Sequence, residues 1–159
     1  SGRFSTVFFT AKAKVNTTAH KHGKAFFQHH GNDSVTRMQG SEIESTLGGN
    51  LKGLGNYCCV RVSHALITAG HPISCRSDYK DKQGNKYIIK VATMKDYLTS
   101  LYGASILVTQ SSARGKKGII VFDVSFEDAT GHADLWDGSS CAYQDYWNRA
   151  SAVHLWVCP

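Results

Sequence analysis

Between Asn56 and Pro72 the chain carries an apolar stripe that only an α-helix can gather on one side. Cys58, Val62, Ala65, Leu66 and Ala69 stand at i, i+4, i+7, i+8 and i+11, a single face at about 100° per residue. Asn56 stands where an N-cap is wanted. Gly70 supplies the C-terminal stop, and Pro72 forbids continuation. The helix so bounded puts Cys58 in its first turn, at the positive end of the peptide dipole.

The rest of the chain supplies what such a helix packs on. Residues 86–91 read as a strand, residues 93–102 as an amphipathic helix through Met94, Tyr97, Leu98 and Leu101, closed by Gly103. Residues 105–109, 118–125, 131–136 and 152–157 are further strand-like runs, punctuated by Gly115 and Gly138. A helix followed by a second helix and several short strands predicts an α+β fold, the Cys58 helix on an antiparallel sheet. With 159 residues and no internal repeat, one domain over 1–159 is expected. Residues 1–50 are polar and read as loops with one or two helical pieces. Ser41-x-x-Glu44 resembles a capping box, which predicts a short helix over 42–47, stopped at Gly48-Gly49. His20, His22, His29 and His30 match no metal-ligand spacing and read as surface histidines.

Charge and cysteine usage narrow the function. Eighteen Lys+Arg against twelve Asp+Glu leave a net charge of +6, which favours anionic partners. The densest basic group is Arg114-Gly115-Lys116-Lys117, with no stacking-aromatic module beside it, so nucleic acid is not the expected partner. No apolar run approaches the roughly 20 residues of a membrane helix, and no membrane span is expected. Five cysteines include no C-x-x-C pair, against structural zinc and dithiol redox chemistry. No metal or organic cofactor is expected. Cys141 and Cys158 flank the last strands, which predicts a disulfide between them.

A thiol attacks as thiolate, and a helix N-terminus with a neighbouring imidazole lowers its pKa. Four histidines compete to supply that imidazole. His64, six residues along the helix, points away from Cys58. His71 lies at the wrong end of the helix. His154, between Val153 and Leu155, could face either side of its strand. His132 opens the strand after Gly131, with Asp134, Trp136 and Asp137 behind it, and a strand holds a base rigidly while a carboxylate orients its second nitrogen. Alternation sets Asp134 on the face of His132.

The run Asn56-Tyr57-Cys58-Cys59-Val60-Arg61-Val62-Ser63-His64-Ala65-Leu66 resembles the nucleophile motif of the fourth family of type VI secretion amidase effectors. Ala69 to Ile73 is similar, and Asp128-Ala129-Thr130-Gly131-His132-Ala133-Asp134-Leu135-Trp136-Asp137-Gly138 resembles that family's histidine motif. The resemblance covers residues 50–157. It implies a papain-like, NlpC-related peptidoglycan amidase fold. The implied activity is cleavage of the bond between D-glutamate and diaminopimelate in cell-wall stem peptides. The implied nucleophile is Cys58 and the implied base His132. The family's acidic third member lies about a dozen residues beyond the histidine, which implies Asp145, with Asp134 as runner-up. Position 59 departs from the pattern, being Cys where the family carries Ala. Arg61 and Ser63 read as structural, Arg61 alternatively as a contact for a substrate carboxylate. Peptidoglycan stem peptides and, in a bacterium, an immunity protein that plugs the cleft are the implied partners. Secretion, with action in the periplasm or wall of target bacteria, is the implied localisation. The rivals are a catalytically dead wall-binding module, which would lose Cys58 or His132, and a papain-like hydrolase or acyltransferase with another substrate.

Overall fold

The structure is a computed structural model and describes residues 35–127 and 129–158. The predicted pieces before residue 35, the four early histidines and Asp128 lie outside the described residues. A 3-10 turn, Val35–Arg37, leads into α1 (Gly40–Leu47), α2 (Cys58–Thr68) and α3 (Val91–Tyr102). There follow β1 (Ile106–Leu107), the one-turn α4 (Gln110–Ala113), β2 (Lys117–Asp123), β3 (Gly131–Trp136) and β4 (Ala152–Cys158). The four strands form one antiparallel sheet in the order β1-β4-β2-β3. This is the expected α+β arrangement, and β3 forms an edge of the sheet.

Alternation sorts the sheet into two faces. Ile119, Val121, Ala133, Leu135 and Trp156 point to one side, where they bury the stripe Cys58, Val62, Ala65, Leu66 and Ala69 of α2 and Met94 and Leu98 of α3. Each such fully buried aliphatic side chain contributes about 1.5–3 kcal/mol. Ile120, Phe122, Trp136, Val153 and Leu155 point to the other side, under Val108, Tyr146 and Trp147. The residues that alternate with Ala133, namely His132 and Asp134, belong to this second face. α2 is buried on more than its predicted stripe. Val60 and Tyr57 pack with Ile43, Leu47, Leu51 and Tyr87 in a further cluster, because α1 and the segment after it cover the helix from behind.

The ends of α2 follow the sequence in part. At its C-terminus Gly70 takes φ 86°, and the His71 N–H reaches back to the Leu66 carbonyl at 2.9 Å, a Schellman-type close. At its N-terminus the capping residue is Tyr57, not Asn56, and no side chain caps in the usual register. α1 begins at Gly40, so Ser41 is inside the helix and forms no capping box. Glu44 instead accepts from the Gly53 N–H at 2.9 Å and the Tyr57 hydroxyl at 2.5 Å, tying α1 to the approach of α2. The predicted strand at 86–91 is extended chain outside the sheet. Its Ile88 N–H and C=O are both satisfied by the Ser63 hydroxyl, at 3.1 and 3.3 Å, which replaces a neighbouring strand. Val91 already belongs to α3.

Candidate active site

The N-terminus of α2 meets the edge strand β3 at Cys58. Gly131 opens β3 where it packs closely on its neighbours, since a Cβ there would stand 2.5 Å from the Phe122 carbonyl oxygen of β2 and 3.1 Å from Val91 Cγ1 of α3. His132 follows, 4% exposed, its ring edge-on to Tyr146 at 5.1 Å between centroids. Its Nε2 is 2.8 Å from Asp134 Oδ2. Asp134 is held in turn: its carboxylate accepts the N–H groups of Leu135 at 2.8 Å, Gln144 at 2.9 Å and Tyr143 at 3.2 Å. With Nε2 committed, Nδ1 is the nitrogen left for Cys58, to which His132 is hydrogen-bonded.

The electrostatics make this an ion pair. Cys58 lies well below the ordinary thiol value. The largest cause is a hydrogen bond from Cys59, 3.9 Å away between sulfurs. Burial opposes the shift, and the hydrogen bond and charge of His132 and the Ala133 backbone N–H reinforce it. Cys59 is displaced upward by donating to Cys58 and by its own burial. Desolvation would lower His132, but the hydrogen bonds and charges of Asp134 and Cys58 outweigh it and raise His132 to about 9. A thiolate facing an imidazolium, backed by a carboxylate, is an arrangement suited to nucleophilic attack on a carbonyl.

A cleft opens over the pair in two lobes. One, about 420 Å³, is lined by Cys58, Ile89, Lys90, Val91, Ala92, Ala129 and Thr130. The other, about 370 Å³, is lined by Tyr57, Arg61, His132, Tyr143 and Tyr146. Leu54, Gly55 and Asn56 line both, so the two lobes adjoin at this segment. Arg61 is fixed by its Nε–H to the Met38 carbonyl at 2.8 Å and by stacking on Tyr143, 3.6 Å above the ring centroid. That is the structural role read for it, although its guanidinium borders the second lobe. Ser63 is likewise structural.

Other expectations are corrected. Asp145 is exposed and makes no contact with His132; Asp134 occupies that place, because the turn containing Tyr143 and Gln144 directs backbone N–H groups at Asp134 and leaves Asp145 facing outward. Cys141 carries a free thiol, so the expected bridge to Cys158 is not formed. His64 lines a different cavity with Asp81 and Lys82, and His71 faces Tyr102. His154 joins Asp123 and Ser105 away from Cys58. Cys59 as a donor to Cys58 and the Ala133 N–H went unread in the sequence. Adjacency alone pointed to the first, and the edge position of β3, which needs the sheet order, to the second. Among the described residues no group of His, Cys, Asp and Glu could hold a metal ion, and no helix is long and apolar enough to cross a membrane.

The comparisons with known proteins agree with one another. The family model for the type VI secretion system amidase effector protein 4, Tae4, matches residues 54–156. The effector of the Tae4–Tai4 effector–immunity complex from Salmonella Typhimurium superposes with a TM-score of 0.71 at 32% identity, over 79% of this chain and 92% of that one. The Salmonella effector bound to the immunity protein Tai4 of Enterobacter cloacae gives 0.67 at 33%, over 85% and 94%. Tae4 from Enterobacter cloacae, at 24% identity, shares the fold with a TM-score of 0.71 over 87% and 96%. No curated protein matches the chain.

Proposed function

The chain belongs to the type VI secretion system amidase effector 4 family, and from that premise we propose that it is an antibacterial cysteine amidase acting on peptidoglycan, cutting stem peptides between D-glutamate and diaminopimelate. The observation that carries the reading is the Cys58 thiol, displaced downward and hydrogen-bonded to a His132 raised to about 9. Cys58 is the nucleophile, His132 the acid and base, and Asp134 the carboxylate that holds the imidazole.

In this reading the Cys58 thiolate adds to the scissile carbonyl, forming a C–S bond and a tetrahedral oxyanion. The imidazolium of His132 gives its proton to the leaving amine of diaminopimelate as the C–N bond breaks. Neutral His132 then takes a proton from water, whose oxygen attacks the thioester and frees Cys58. Asp134 keeps Nε2 protonated and stabilises the imidazolium. The net charge of +6 suits an anionic wall.

Single-domain organisation over 1–159 and secretion toward the periplasm of a target cell belong to the same reading. An immunity protein that covers the cleft is the expected partner, as Tai4 accompanies the Salmonella effector. The test is incubation of purified diaminopimelate-type and Lys-type peptidoglycan with wild type and Cys58→Ala, fragments being identified by mass spectrometry. Release of the D-glutamyl terminus from the diaminopimelate wall by wild type alone is expected. No release, cutting at another bond, or equal turnover of both walls contradicts the assignment.

A further inference from the structure

The Cys58 N–H would be the natural oxyanion donor at this helix start, since the first N–H groups of a helix lack intrahelical partners. In this chain that N–H is taken: it donates to Asn56 Oδ1 at 2.8 Å. The bond also fixes the orientation of the Asn56 amide. Only the oxygen accepts from a backbone N–H, so Nδ2 is turned away from it with two hydrogens. Among the described residues Nδ2 has no partner. Asn56 is half-buried and lines both lobes, two residues before the nucleophile.

The other donors along the second lobe are mostly committed. The Tyr57 hydroxyl donates to Glu44, the Tyr143 hydroxyl to Gln39 at 2.9 Å, and Arg61 Nε to Met38. Tyr146 and the Nη groups of Arg61 remain, but the Tyr146 ring is packed against His132, Phe122 and Phe126, and the Arg61 guanidinium is stacked on Tyr143.

We propose that Asn56 is a catalytic residue whose side-chain Nδ2–H, held in place by the Cys58 N–H on its own carbonyl, donates to the tetrahedral oxyanion formed on Cys58. The oxygen of the attacked carbonyl gains its charge as the C–S bond forms, and a donor already fixed in orientation on a residue that lines the cleft stabilises that charge without reorganising. The N–H of the nucleophile thus acts at one remove, by aligning the amide. The inference rests on Cys58 as the acyl-accepting thiol, the reading given above.

The experiment compares two reactions of one sulfur. p-Nitrophenyl acetate acylates a thiolate through a tetrahedral oxyanion, whatever the natural amide is. Iodoacetamide alkylates the same thiolate by direct displacement, with no oxyanion. In Asn56→Ala the ester burst is expected to slow by about 10²-fold, in the range for loss of one oxyanion donor, while the alkylation rate and its pH profile stay within about two-fold of wild type. Asn56→Asp, which keeps an acceptor for the Cys58 N–H but has no donor, is expected to lose the burst at least as deeply. A burst within about three-fold of wild type in Asn56→Ala overturns the proposal. So does alkylation that falls in parallel with acylation, which would mark a residue that only shapes the helix start. So does an equal loss in Tyr146→Phe with Asn56→Ala unaffected. Wall cleavage is followed separately: a wild type that acylates normally yet leaves peptidoglycan intact counts against the substrate, not against Asn56.

Discussion

Among the described residues two histidine–aspartate pairs share nearly equal geometry and have unequal surroundings. His132 Nε2 stands 2.8 Å from Asp134, and His154 Nε2 stands 2.7 Å from Asp123. Each histidine also faces a potential nucleophile through its other nitrogen: Cys58 for His132, and the Ser105 hydroxyl, 3.2 Å from Nδ1, for His154. The first pair is 5% and 4% exposed, the second 19% and 29%. Asp134 has its remaining capacity filled by backbone N–H groups, whereas Asp123 is shared with the Lys95 ammonium at 2.9 Å. Ser105 and His154 line neither lobe of the cleft. The hydrogen-bond chain is common to both. The first pair alone has a displaced thiol at a helix start, burial that strengthens its charges, and room for a substrate.

The widest separation between the pairs is expected at the nucleophiles. Cys58→Ala should reduce wall cleavage to the level of wall incubated alone while circular dichroism shows a folded protein. Ser105→Ala should cleave as wild type does. Next come the carboxylates. Asp134→Asn should lower kcat by roughly 10³–10⁴, as loss of the orienting anion does in triad hydrolases, whereas Asp123→Asn and Asp145→Ala should leave it unchanged. An inactive Asp145→Ala beside an active Asp134→Asn would restore the sequence assignment and refute the structural one.

How legible this was depends on what each residue had to find. The stripe of α2 and the alternation of β3 were readable because each follows from local period, whereas period made Cys58 and His132 candidates only, and their roles as nucleophile and base were what the family resemblance implied. The segment at 86–91 has the β-branched content of a strand, yet at Ile88 its backbone is satisfied by a serine on α2, which no local pattern announces. Asp145 was preferred on spacing drawn from a family, while alternation had already set Asp134 beside His132. The turn that points Tyr143 and Gln144 N–H groups at Asp134 decides between them, and turn geometry is the part of a sequence least fixed by period.

Titration sharpens the contrast further. The ion pair exists between the lowered Cys58 value and the raised His132 value of about 9. Activity should therefore decline as pH rises through about 9, where His132 loses the proton meant for the leaving amine. His132, being raised, also contributes stability that is complete below its ordinary 6.5 and is lost on the same alkaline side. A pH profile of kcat/KM and a melting series from pH 6 to 10 check both. Cys59→Ala should keep the site working but move the acid limb of Cys58 alkylation upward, because the thiol that donates to Cys58 is gone. An unmoved limb would confine Cys59 to packing.

The smallest effect is expected at the second pair, and its sign is opposite. Burial would raise Asp123, but hydrogen bonds from Lys95 and His154 and their charges prevail and lower it from 3.8. A depressed carboxylate contributes stability that is present above its unfolded value and lost as pH falls through the folded one. The pair is partly exposed and screened, so its worth is of the order of surface ion pairs, about 0–1 kcal/mol. Asp123→Asn should accordingly melt no more than about 2–4 °C below wild type at neutral pH. The difference should close as both proteins are taken to acid, where wild-type Asp123 is itself neutral. It should shrink in high salt as well. A difference that widened toward acid, or one accompanied by lost wall cleavage, would mean that Asp123 and His154 serve the site after all, and that the two pairs are not as separate as their burial makes them.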